Sequence, residues 1–384
     1  MTEHTLPKIA IIMAKAGGGH VTAARSLAET LEGKAQVIFI NLLDEHAPFP
    51  LNHLSASYGP WVNYSPWTYR KVYELFSTPR SVDMIQRAAY PFVRNRVAAV
   101  LKTVAADLVI SVHSVQVTIP LRIMREISPQ TPFVTVVTDP VTPPIAWFAS
   151  DADLCVVATE PARQVALACG VPADRVQVIG LPVRRAFSTV RGQPKAALRA
   201  QLGLDPSLRT VLLTGGGAGI GKLLPPARAI AGRLAASGAP AQMAIIAGNN
   251  RELLKRLRAQ HWPIPVKPLG YVENMAEWMA ASDLLVAKAG PGTLAEAACV
   301  GLPVLITEFI PGQEAGNVSW VVDHQAGVFA PKPAEVAPLV DELLQPGNPQ
   351  LDFMAGQARS IARCDAAEQI AQAALALYHR TAKV

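Results

Sequence analysis

Short apolar runs of four or five residues recur along the whole chain, and longer stretches with helical character separate them. A run that is apolar throughout is typical of a strand buried on both faces, as in a parallel sheet. Strands that alternate with helices favour a doubly wound α/β architecture. The predicted strands are 9–13, 37–40, 108–112, 133–137, 154–158, 181–185, 210–214, 243–247, 266–269, 284–287 and 304–307.

The pattern starts twice, which predicts two domains. A chain of 384 residues is longer than one ordinary hydrophobic core supports. Each half opens with a strand, a glycine-rich loop and a helix, at Gly17-Gly18-Gly19-His20 and at Gly215-Gly216-Gly217. We expect an N-terminal domain over 1–190, a linker over 191–206 with Pro194 and Pro206, a C-terminal domain over 207–354 and a final helical segment over 355–384.

The stretch that follows the strand 284–287 indicates a ligand site. Gly290, Pro291 and Gly292 form a tight turn, and a helix is expected from about Thr293 onward. A helix N-terminus offers free backbone N–H groups and a positive dipole end to a phosphate. Glu296, one turn inside the helix, could accept hydrogen bonds from a sugar hydroxyl. N–H groups that can bind a phosphate, next to a carboxylate that can bind a sugar hydroxyl, favour a nucleotide-sugar site.

The composition favours a cytoplasmic protein. Only 17% of the residues are charged and half are apolar, yet no run reaches the roughly 18 to 20 apolar residues that span a bilayer. The polar N-terminus leads straight into a strand, which predicts no signal peptide. The cysteines Cys155, Cys169, Cys299 and Cys364 lack metal or redox spacing and are expected to be free in a reducing compartment.

The segment 58–102 combines cations with aromatic rings. It holds seven Lys or Arg against two acids, together with five of the seven tyrosines, Trp61, Trp67, Phe76 and Phe92. Amphipathic rings and cations are typical of a surface that binds anionic membranes. A helical subdomain with a basic solvated face is the structural alternative. Nucleic-acid binding would suit the same residue types, but no nucleic-acid motif accompanies them, so no nucleic-acid partner is expected.

Three better-known motifs do not fit: two fail at one position each, and the third stands on the wrong side of its strand. A dinucleotide fingerprint needs a third glycine where this chain has Thr22, and a Walker A motif needs Ser or Thr where Leu223 follows Gly221-Lys222. Asp151 and Asp153 resemble the metal-binding pair of acids found in one class of sugar-transferring enzymes. Because their apolar strand follows them, a turn that leads into a strand is the better interpretation.

His20 is the strongest candidate for chemistry. It ends a glycine loop at the carboxyl end of a predicted strand, where open α/β sheets bind ligands. An imidazole can take a proton from an attacking hydroxyl near neutral pH. His113 and Asp139 also follow predicted strands and could line the same site or orient an acceptor. For each of these two, a purely structural role is an equally open alternative.

Several motifs together resemble one family of enzymes. They are Gly17-Gly18-Gly19-His20, Thr138-Asp139 with Trp147-Phe148, Gly180-Leu181-Pro182-Val183-Arg184, Gly215-Gly216-Gly217, Gly270-Tyr271-Val272, Lys288 to Thr293 with Glu296, and Pro311-Gly312-Gln313-Glu314 with Gly316-Asn317. In these motifs the chain resembles the monogalactosyldiacylglycerol synthases and related bacterial diacylglycerol glucosyltransferases. These belong to the MurG-like glycosyltransferases of family 28.

The resemblance implies a GT-B fold, with two Rossmann-like domains that face each other across a cleft and a final helix over 355–377 that packs back on the first domain. UDP-sugar would bind the C-terminal domain through Gly215, Gly216 and Gly217 and the turn after Ala289. Glu296 would bind the ribose, Tyr271 and Val272 the uracil, and Gln313 and Glu314 the hexose. The complete donor set implied is Gly19, Gly215, Gly216, Gly217, Tyr271, Val272, Gly290, Gly292, Thr293, Glu296, Gln313, Glu314 and Asn317.

The N-terminal domain would bind the lipid acceptor. The resemblance implies His20 as the base and Trp147 on the acceptor side. From their places in the sequence we also expect Asp139 and His113 in catalysis, and His113 and Gln116 on the acceptor side. No metal and no cofactor are expected besides the donor substrate, UDP-galactose or UDP-glucose.

The resulting prediction is an inverting hexosyltransferase that makes a β-glycolipid from diacylglycerol. We expect it at an anionic membrane surface, peripheral at the inner face of the plasma membrane. A GT-B transferase for another lipid or polyprenyl-linked acceptor, or a non-catalytic nucleotide-sugar-binding protein, remain alternatives.

Overall fold

The chain forms two compact units, each built around one parallel sheet. The computed structural model describes residues 6–14, 18–49, 51–53, 55–57, 61–62, 65–75, 78–216 and 223–381. Unit 1 comprises Met1–Arg185, Pro311–Gln313 and Asp365–Val384, and unit 2 comprises Ala186–Ile310 and Glu314–Cys364. The expected α/β architecture with two doubly wound sheets is confirmed.

The sheet of unit 1 has six parallel strands in the order β2-β1-β3-β4-β5-β6. The strands are β1 (Lys8–Ile12), β2 (Gln36–Ile40), β3 (Leu108–Ser111), β4 (Phe133–Val136), β5 (Leu154–Val157) and β6 (Val176–Val178). Its described α-helices include α1 (Gly18–Leu31), α2 (Pro66–Leu75), α3 (Pro79–Val104), α4 (Thr118–Ile127), α5 (Glu160–Ala168) and α6 (Arg185–Thr189), which ends in unit 2. The strand order reverses between β1 and β3, so the loops after these strands lie at the switch point where such sheets bind ligands.

The sheet of unit 2 has the order β12-β11-β10-β7-β8-β9, also parallel throughout. Its strands are β7 (Arg209–Thr214), β8 (Ala241–Ile246), β9 (Val266–Leu269), β10 (Leu284–Lys288), β11 (Val304–Glu308) and β12 (Gly327–Phe329). Its helices are α7 (Lys195–Gln201), α8 (Leu224–Ser237), α9 (Arg251–Arg258), α10 (Met275–Ala281), α11 (Pro291–Val300), α12 (Ala315–Asp323), α13 (Pro333–Leu343) and α14 (Pro349–Ile361). Here the switch point lies between β7 and β10.

Helix α3 is divided between the core and the surface. Thr78 caps its first turn by accepting a hydrogen bond from the Ser81 N–H. The buried side chains, Val93, Val97, Ala98 and Leu101, lie only in the C-terminal half, which packs on the sheet of unit 1. The N-terminal half therefore keeps its apolar side chains, such as Met84 at 63% exposure, in solvent.

Two details of the secondary structure differ from the sequence prediction. The run 181–185 is not a strand: the sixth strand is Val176–Val178, and Arg185 already begins a helix. Gly180 has φ +134° and Pro182 lacks an N–H, so this run turns away from the ladder instead of joining it. The short edge strand β12 was not predicted, because three residues carry too little periodicity.

The segment 191–206, expected as a linker, contains helix α7. Its Arg199 is 6% exposed and donates to Asp283 Oδ2 at 2.5 Å and to the Ala281 carbonyl at 3.0 Å, both within unit 2. The expected single helix over 355–377 is two helices, α14 and α15 (Ala366–Thr381), because Ala362 leaves α14 with an extended backbone. Ile370 and Ala374 of α15 complete a buried layer of unit 1.

Candidate active site

His20 lies at the switch point of unit 1, in the first turn of α1. Its Nδ1 is 2.9 Å from the Val112 carbonyl oxygen, just after β3, and 2.9 Å from Thr138 Oγ1, just after β4. A carbonyl oxygen only accepts hydrogen bonds, so the neutral imidazole carries its proton on Nδ1 and its lone pair on Nε2. Nε2 is therefore the nitrogen that can take a proton from a substrate.

An acid and a tryptophan lie beside this histidine. Trp147 is fully buried, and its Nε1 donates to Asp139 Oδ2 at 2.6 Å. The rings of His20 and Trp147 have centroids 6.1 Å apart. Burial lowers the pKa of His20 below 6.5, while the Asp139 carboxylate and the Val112 carbonyl oppose this shift. The imidazole is thus neutral near pH 7 and has a carboxylate nearby for the cation that forms on proton uptake.

His113 is buried against His20. The two ring centroids are 4.4 Å apart, and the buried Nδ1 of His113 has no hydrogen-bond partner among the described residues. Burial, and secondarily the nearby His20, lower the pKa of His113 well below 6.5. The structure thus brings the expected residues His20, His113, Asp139 and Trp147 together at one edge of the sheet.

Protonation of His113 is expected to destabilise the folded protein. The folded pKa lies below the unfolded value of 6.5, so its stabilising contribution is complete above pH 6.5 and is lost as the pH falls toward the folded pKa. In urea titrations, His113→Gln should lose stability less steeply than wild type between about pH 6 and pH 5, by up to ~1.4 kcal/mol per pH unit. The exposed His261→Gln is the control, and equal slopes for His113→Gln and wild type would contradict the prediction.

The Gln116 side chain connects two loops through hydrogen bonds to their backbones. Its Nε2 donates to the Met13 carbonyl at 3.1 Å, and its Oε1 accepts from the Leu43 N–H at 3.2 Å. These bonds connect the loop after β1 to the π-helical turn Leu42–His46. Both ends of the amide are already hydrogen-bonded to the backbone. The acceptor-binding role expected for Gln116 therefore stays a prediction that these contacts do not support.

Gln313 belongs to unit 1 by its contacts. Its Nε2 donates to Asp139 Oδ1 at 3.2 Å, and its Oε1 accepts from the Tyr69 hydroxyl at 3.1 Å. Both partners are polar side chains of unit 1. Its expected role in hexose binding stays a prediction.

In unit 2, the expected phosphate-binding loops follow the two strands at the switch point. Gly215 and Gly216 come directly after β7, where Gly216 has φ +73° and its N–H donates to Thr214 Oγ1 at 3.1 Å. The turn with Gly290 and Gly292 follows the neighbouring strand β10. Gly217 lies outside the described residues, as does Gly17 of the first glycine loop.

Helix α11 begins two residues earlier than predicted. Gly290 is its N-cap and Pro291 its first residue, because a proline ring is already set to the helical φ and needs no N–H there. A Cβ built on Gly292 would meet no atom within 4 Å, so the space over this turn is open. Thr293 and Glu296 follow in the first two turns, both partly buried. The N–H groups of Gly292 and Thr293, in the first turn of the helix, can face a diphosphate.

A buried ion pair lies under the same turn. Lys288 Nζ bonds Glu314 Oε1, and Glu314 Oε2 accepts from the Ile310 N–H at 2.9 Å. The Glu314 side chain is 4% exposed. Asn317 donates from Nδ2 to the Ala289 carbonyl at 3.0 Å. Glu314 and Asn317 thus hold the loops after β10 and β11 in place, and their expected sugar contacts stay predictions.

The residues expected near uracil lie at the far side of the same edge. Tyr271 and Val272 follow β9, two strands from β7, and Tyr271 is 55% exposed. Adjacent strands are about 4.8 Å apart, so roughly 10 Å separates the ends of β9 and β7. A nucleotide with its diphosphate at the switch point can span this distance.

The turn at Asp153 and the state of the cysteines agree with the sequence analysis. Asp153 Oδ2 accepts from the Phe133 N–H at 2.7 Å and from Arg125 at 2.6 Å, as expected for a turn that leads into a strand. The four cysteines are free. Among the described residues there is no group of three or more His, Cys, Asp or Glu arranged to hold a metal ion. In the same part of the chain, no helix is both long and apolar enough to span a bilayer.

Three partners were not foreseen from the sequence: Thr138 beside His20, Lys288 beneath Glu314, and Tyr69 beside Gln313. Thr138 and Lys288 belong to motifs identified in the sequence, so the motifs indicated where these residues lie but not which side chains they contact. Tyr69 is 244 residues from its partner, and no local pattern in the sequence could indicate this contact.

Comparisons with known proteins match both halves of the chain. Residues 20–183 match the family Monogalactosyldiacylglycerol (MGDG) synthase, and residues 210–329 match the Glycosyltransferase family 28 C-terminal domain. A probable chloroplastic monogalactosyldiacylglycerol synthase of Glycine max is 37% identical over 94% of this chain and 70% of its own length. Monogalactosyldiacylglycerol synthase 1 of Arabidopsis thaliana is 35% identical over 94% of this chain and 69% of its own.

Solved structures support the fold. The crystal structure of Acinetobacter baumannii MurG aligns with a TM-score of 0.60 at 17% identity, over 96% of this chain and 100% of that one. A putative UDP-N-acetylglucosamine 2-epimerase from Listeria monocytogenes aligns with a TM-score of 0.62 at 16% identity, over 98% of both chains. The predicted GT-B fold class is therefore confirmed.

One prediction is wrong. The expected place at the inner face of the plasma membrane, in the cytoplasm, is contradicted by the relatives, whose names describe them as chloroplastic. The composition and the basic–aromatic segment on which the expectation depended are compatible with any membrane surface and do not specify a compartment.

The high identity over nearly the whole chain, together with both family matches, shows that the chain belongs to the monogalactosyldiacylglycerol synthase family of glycosyltransferases.

Proposed function

We propose that the protein transfers galactose from UDP-galactose to the free hydroxyl of diacylglycerol, with inversion at the sugar carbon. Transfer of a sugar to diacylglycerol follows from family membership, and galactose is favoured because the relatives are named monogalactosyldiacylglycerol synthases. The observation that carries the chemistry is His20, whose Nδ1 is bonded to the Val112 carbonyl so that Nε2 is the basic nitrogen.

In the proposed reaction, His20 Nε2 takes the proton of the acceptor hydroxyl as its oxygen attacks the anomeric carbon. The bond from that carbon to the diphosphate breaks, and UDP leaves with the electron pair. Asp139 stabilises the imidazolium that forms, since its carboxylate already raises the pKa of His20 against burial. The N–H groups at the start of α11 and the loop after β7 would stabilise the negative charge of the departing UDP.

The donor half of the proposal is supported by unit 2. Gly216 and Gly290 follow adjacent strands at the switch point, Glu296 lies one turn into α11, and Tyr271 follows the outer strand β9. All four residues lie near the same edge of one sheet, as contacts of one nucleotide through its diphosphate, ribose and base require. We propose no catalytic metal and no cofactor besides the donor substrate.

A radiochemical assay tests the function. Purified protein is incubated with diacylglycerol vesicles and labelled UDP-galactose or UDP-glucose, and lipids are extracted and separated. We expect a labelled monohexosyl lipid from UDP-galactose. Labelled lipid from UDP-glucose alone would contradict the galactosyl assignment. If neither donor gave labelled lipid, the proposed transferase activity would be contradicted and a nucleotide-sugar-binding protein would be the better interpretation.

We further propose that an anionic membrane binds the surface of α2 and the first half of α3. Trp67, Met84 and Phe92 are exposed by 65%, 63% and 73%, although they are large and apolar. They stand among exposed cations such as Arg80 and Arg87. Exposed rings and apolar side chains surrounded by cations are suited to an interface with anionic lipid headgroups. Tyr58, Tyr64 and Phe76 of the same segment lie outside the described residues.

Vesicle flotation tests this surface. At low salt the wild-type protein should float with vesicles that contain an anionic phospholipid, and Met84→Ser/Phe92→Ser should float at least ~10-fold less, since each apolar side chain removed from lipid forfeits about 1.5 kcal/mol or more. Phe353→Ser removes a ring that is 52% exposed in unit 2 and serves as the control. Failure of the wild type to float, or an equal loss with Phe353→Ser, would refute the surface.

A further inference from the structure

Two tyrosines of α2 contact the short segment Pro311–Gln313. The Tyr69 hydroxyl donates to Gln313 Oε1 at 3.1 Å. The Tyr73 ring lies against Gly312, where an added Cβ would come within 2.9 Å of Tyr73 Cδ1. Residues four apart share one face of a helix, so Tyr69 and Tyr73 form the inner face of α2. Trp67 and Lys71 lie on its opposite, exposed face.

Gln313 extends this contact to Asp139, the carboxylate beside His20. Its Nε2 donates to Asp139 Oδ1 at 3.2 Å, while Trp147 Nε1 donates to Oδ2 at 2.6 Å. A carboxylate only accepts hydrogen bonds, so the NH₂ end of the amide faces Asp139 and the oxygen faces Tyr69. One continuous path of side-chain hydrogen bonds therefore runs from Tyr69 through Gln313 to Asp139 and Trp147.

Two donors hold the two oxygens of Asp139, and one of them depends on Tyr69. Gln313 has a flexible side chain, and the Tyr69 hydroxyl holds the end of the amide opposite to Asp139. Tyr73 adds a second support, because its ring restricts the backbone at Gly312, whose φ of +87° is itself a left-handed conformation. Asp139 in turn acts on His20 through its charge.

We propose that Tyr69 is a positioning residue for the transfer reaction, which acts by orienting the Gln313 amide so that Asp139 is held beside His20. The inference rests on the proposed function, since it assigns Tyr69 a role in that reaction. Tyr69 itself does not need to touch either substrate. Its hydroxyl should therefore affect turnover more than substrate binding.

Steady-state kinetics of Tyr69→Phe test the role, because this variant removes one hydroxyl and keeps the ring. We expect kcat to fall about 10-fold, as for the loss of one hydrogen bond that acts in the transition state, with KM for UDP-galactose within about 2-fold of wild type. Tyr378→Phe, on α15 of the same unit, is the matched control and should keep the wild-type kcat. In a Gln313→Leu background, Tyr69→Phe should change kcat by less than about 2-fold, because the path is already broken.

A wild-type kcat for Tyr69→Phe, or an equal fall in the Gln313→Leu background, would overturn the proposal. A measurement independent of turnover separates this failure from failure of the proposed function. With 5-fluorotryptophan incorporated, the ¹⁹F resonance of Trp147, assigned by Trp147→Phe, should shift in Tyr69→Phe and not in Tyr378→Phe. An unmoved Trp147 resonance refutes the path even if wild type makes no glycolipid, and a shifted resonance supports it in that case.

Discussion

Replacement of His20 by alanine is expected to lower kcat by about 10²- to 10⁴-fold, the range typical for loss of a general base. Asp139 and His113 are poorly suited to replace the imidazole Nε2 as base, because both oxygens of Asp139 already accept hydrogen bonds and burial lowers the pKa of His113 well below 6.5. The affinity for UDP should stay within about 2-fold of wild type, since the proposed donor site lies in unit 2. Turnover by the assay above and calorimetric titration with UDP measure the two effects.

The exposed His379→Ala is the control for His20→Ala, and it should retain wild-type turnover. Turnover of His20→Ala at the wild-type rate would show that another group takes the proton. If UDP binding were lost together with turnover, the defect would be one of structure or binding, and the assignment of His20 as base would lose its support.

The same residue determines how activity depends on pH. A base must be unprotonated to act, so activity is lost as the pH falls through the folded pKa of His20. Burial lowers this pKa below 6.5, and the acidic midpoint of kcat/KM should therefore lie below pH 6.5. Asp139→Asn removes the carboxylate that raises the pKa, so its midpoint should lie lower still. A midpoint at or above pH 6.5 in the wild type would contradict the assignment.

Lys288→Met is expected to destabilise unit 2 by about 3–5 kcal/mol, because it leaves a buried carboxylate without its cation. The Glu314 side chain is 4% exposed, and among the described residues only the Ile310 N–H would remain as its donor. The double variant Lys288→Met/Glu314→Leu should recover most of the loss, since it removes both charges. Hydrogen exchange of amides in 284–300 reports the stability of this part of unit 2 directly.

Lys332→Met provides the comparison for a surface pair. Lys332 bonds Glu335 at 3.0 Å, with side chains 76% and 44% exposed, so its loss should cost less than about 1 kcal/mol. If Lys288→Met lowered the free energy of unfolding as little as Lys332→Met does, burial would not increase the contribution of the Lys288–Glu314 pair to stability. If the double variant were as unstable as Lys288→Met, the loss would reflect packing of the lysine stem instead of an uncompensated charge.

Much of the fold could be predicted because parallel strands are apolar on both faces. Ten of the predicted runs coincide with strands to within a residue or two at each end. The exception, 181–185, contains only Leu181 and Val183 as large apolar residues, and it follows Gly180, contains Pro182 and ends in two arginines. The helix boundary at 362 was missed because the apolar spacing continues across a break that only the backbone of Ala362 reveals.

The candidate site was predictable wherever its residues follow a strand. His20, His113 and Asp139 each come after a different strand of one sheet, and parallel strands bring their carboxyl ends to the same edge. Side-chain partners were less accessible. The bonds of Gln116 to Met13 and Leu43 span 103 and 73 residues, and they show a structural use of a side chain that had been assigned to the acceptor.

By itself, the sequence determined two parallel α/β units, the glycine-rich turns at their strand ends and the histidine that can act as base. These features depend on local periodicity and on residue types that a turn requires. Only the tertiary structure decided which nitrogen of His20 is basic, that Lys288 neutralises Glu314, and that Tyr69 reaches Asp139 through Gln313. Hydrogen bonds between residues far apart in the chain depend on distances of a few tenths of an ångström, and these arise only when the elements pack together.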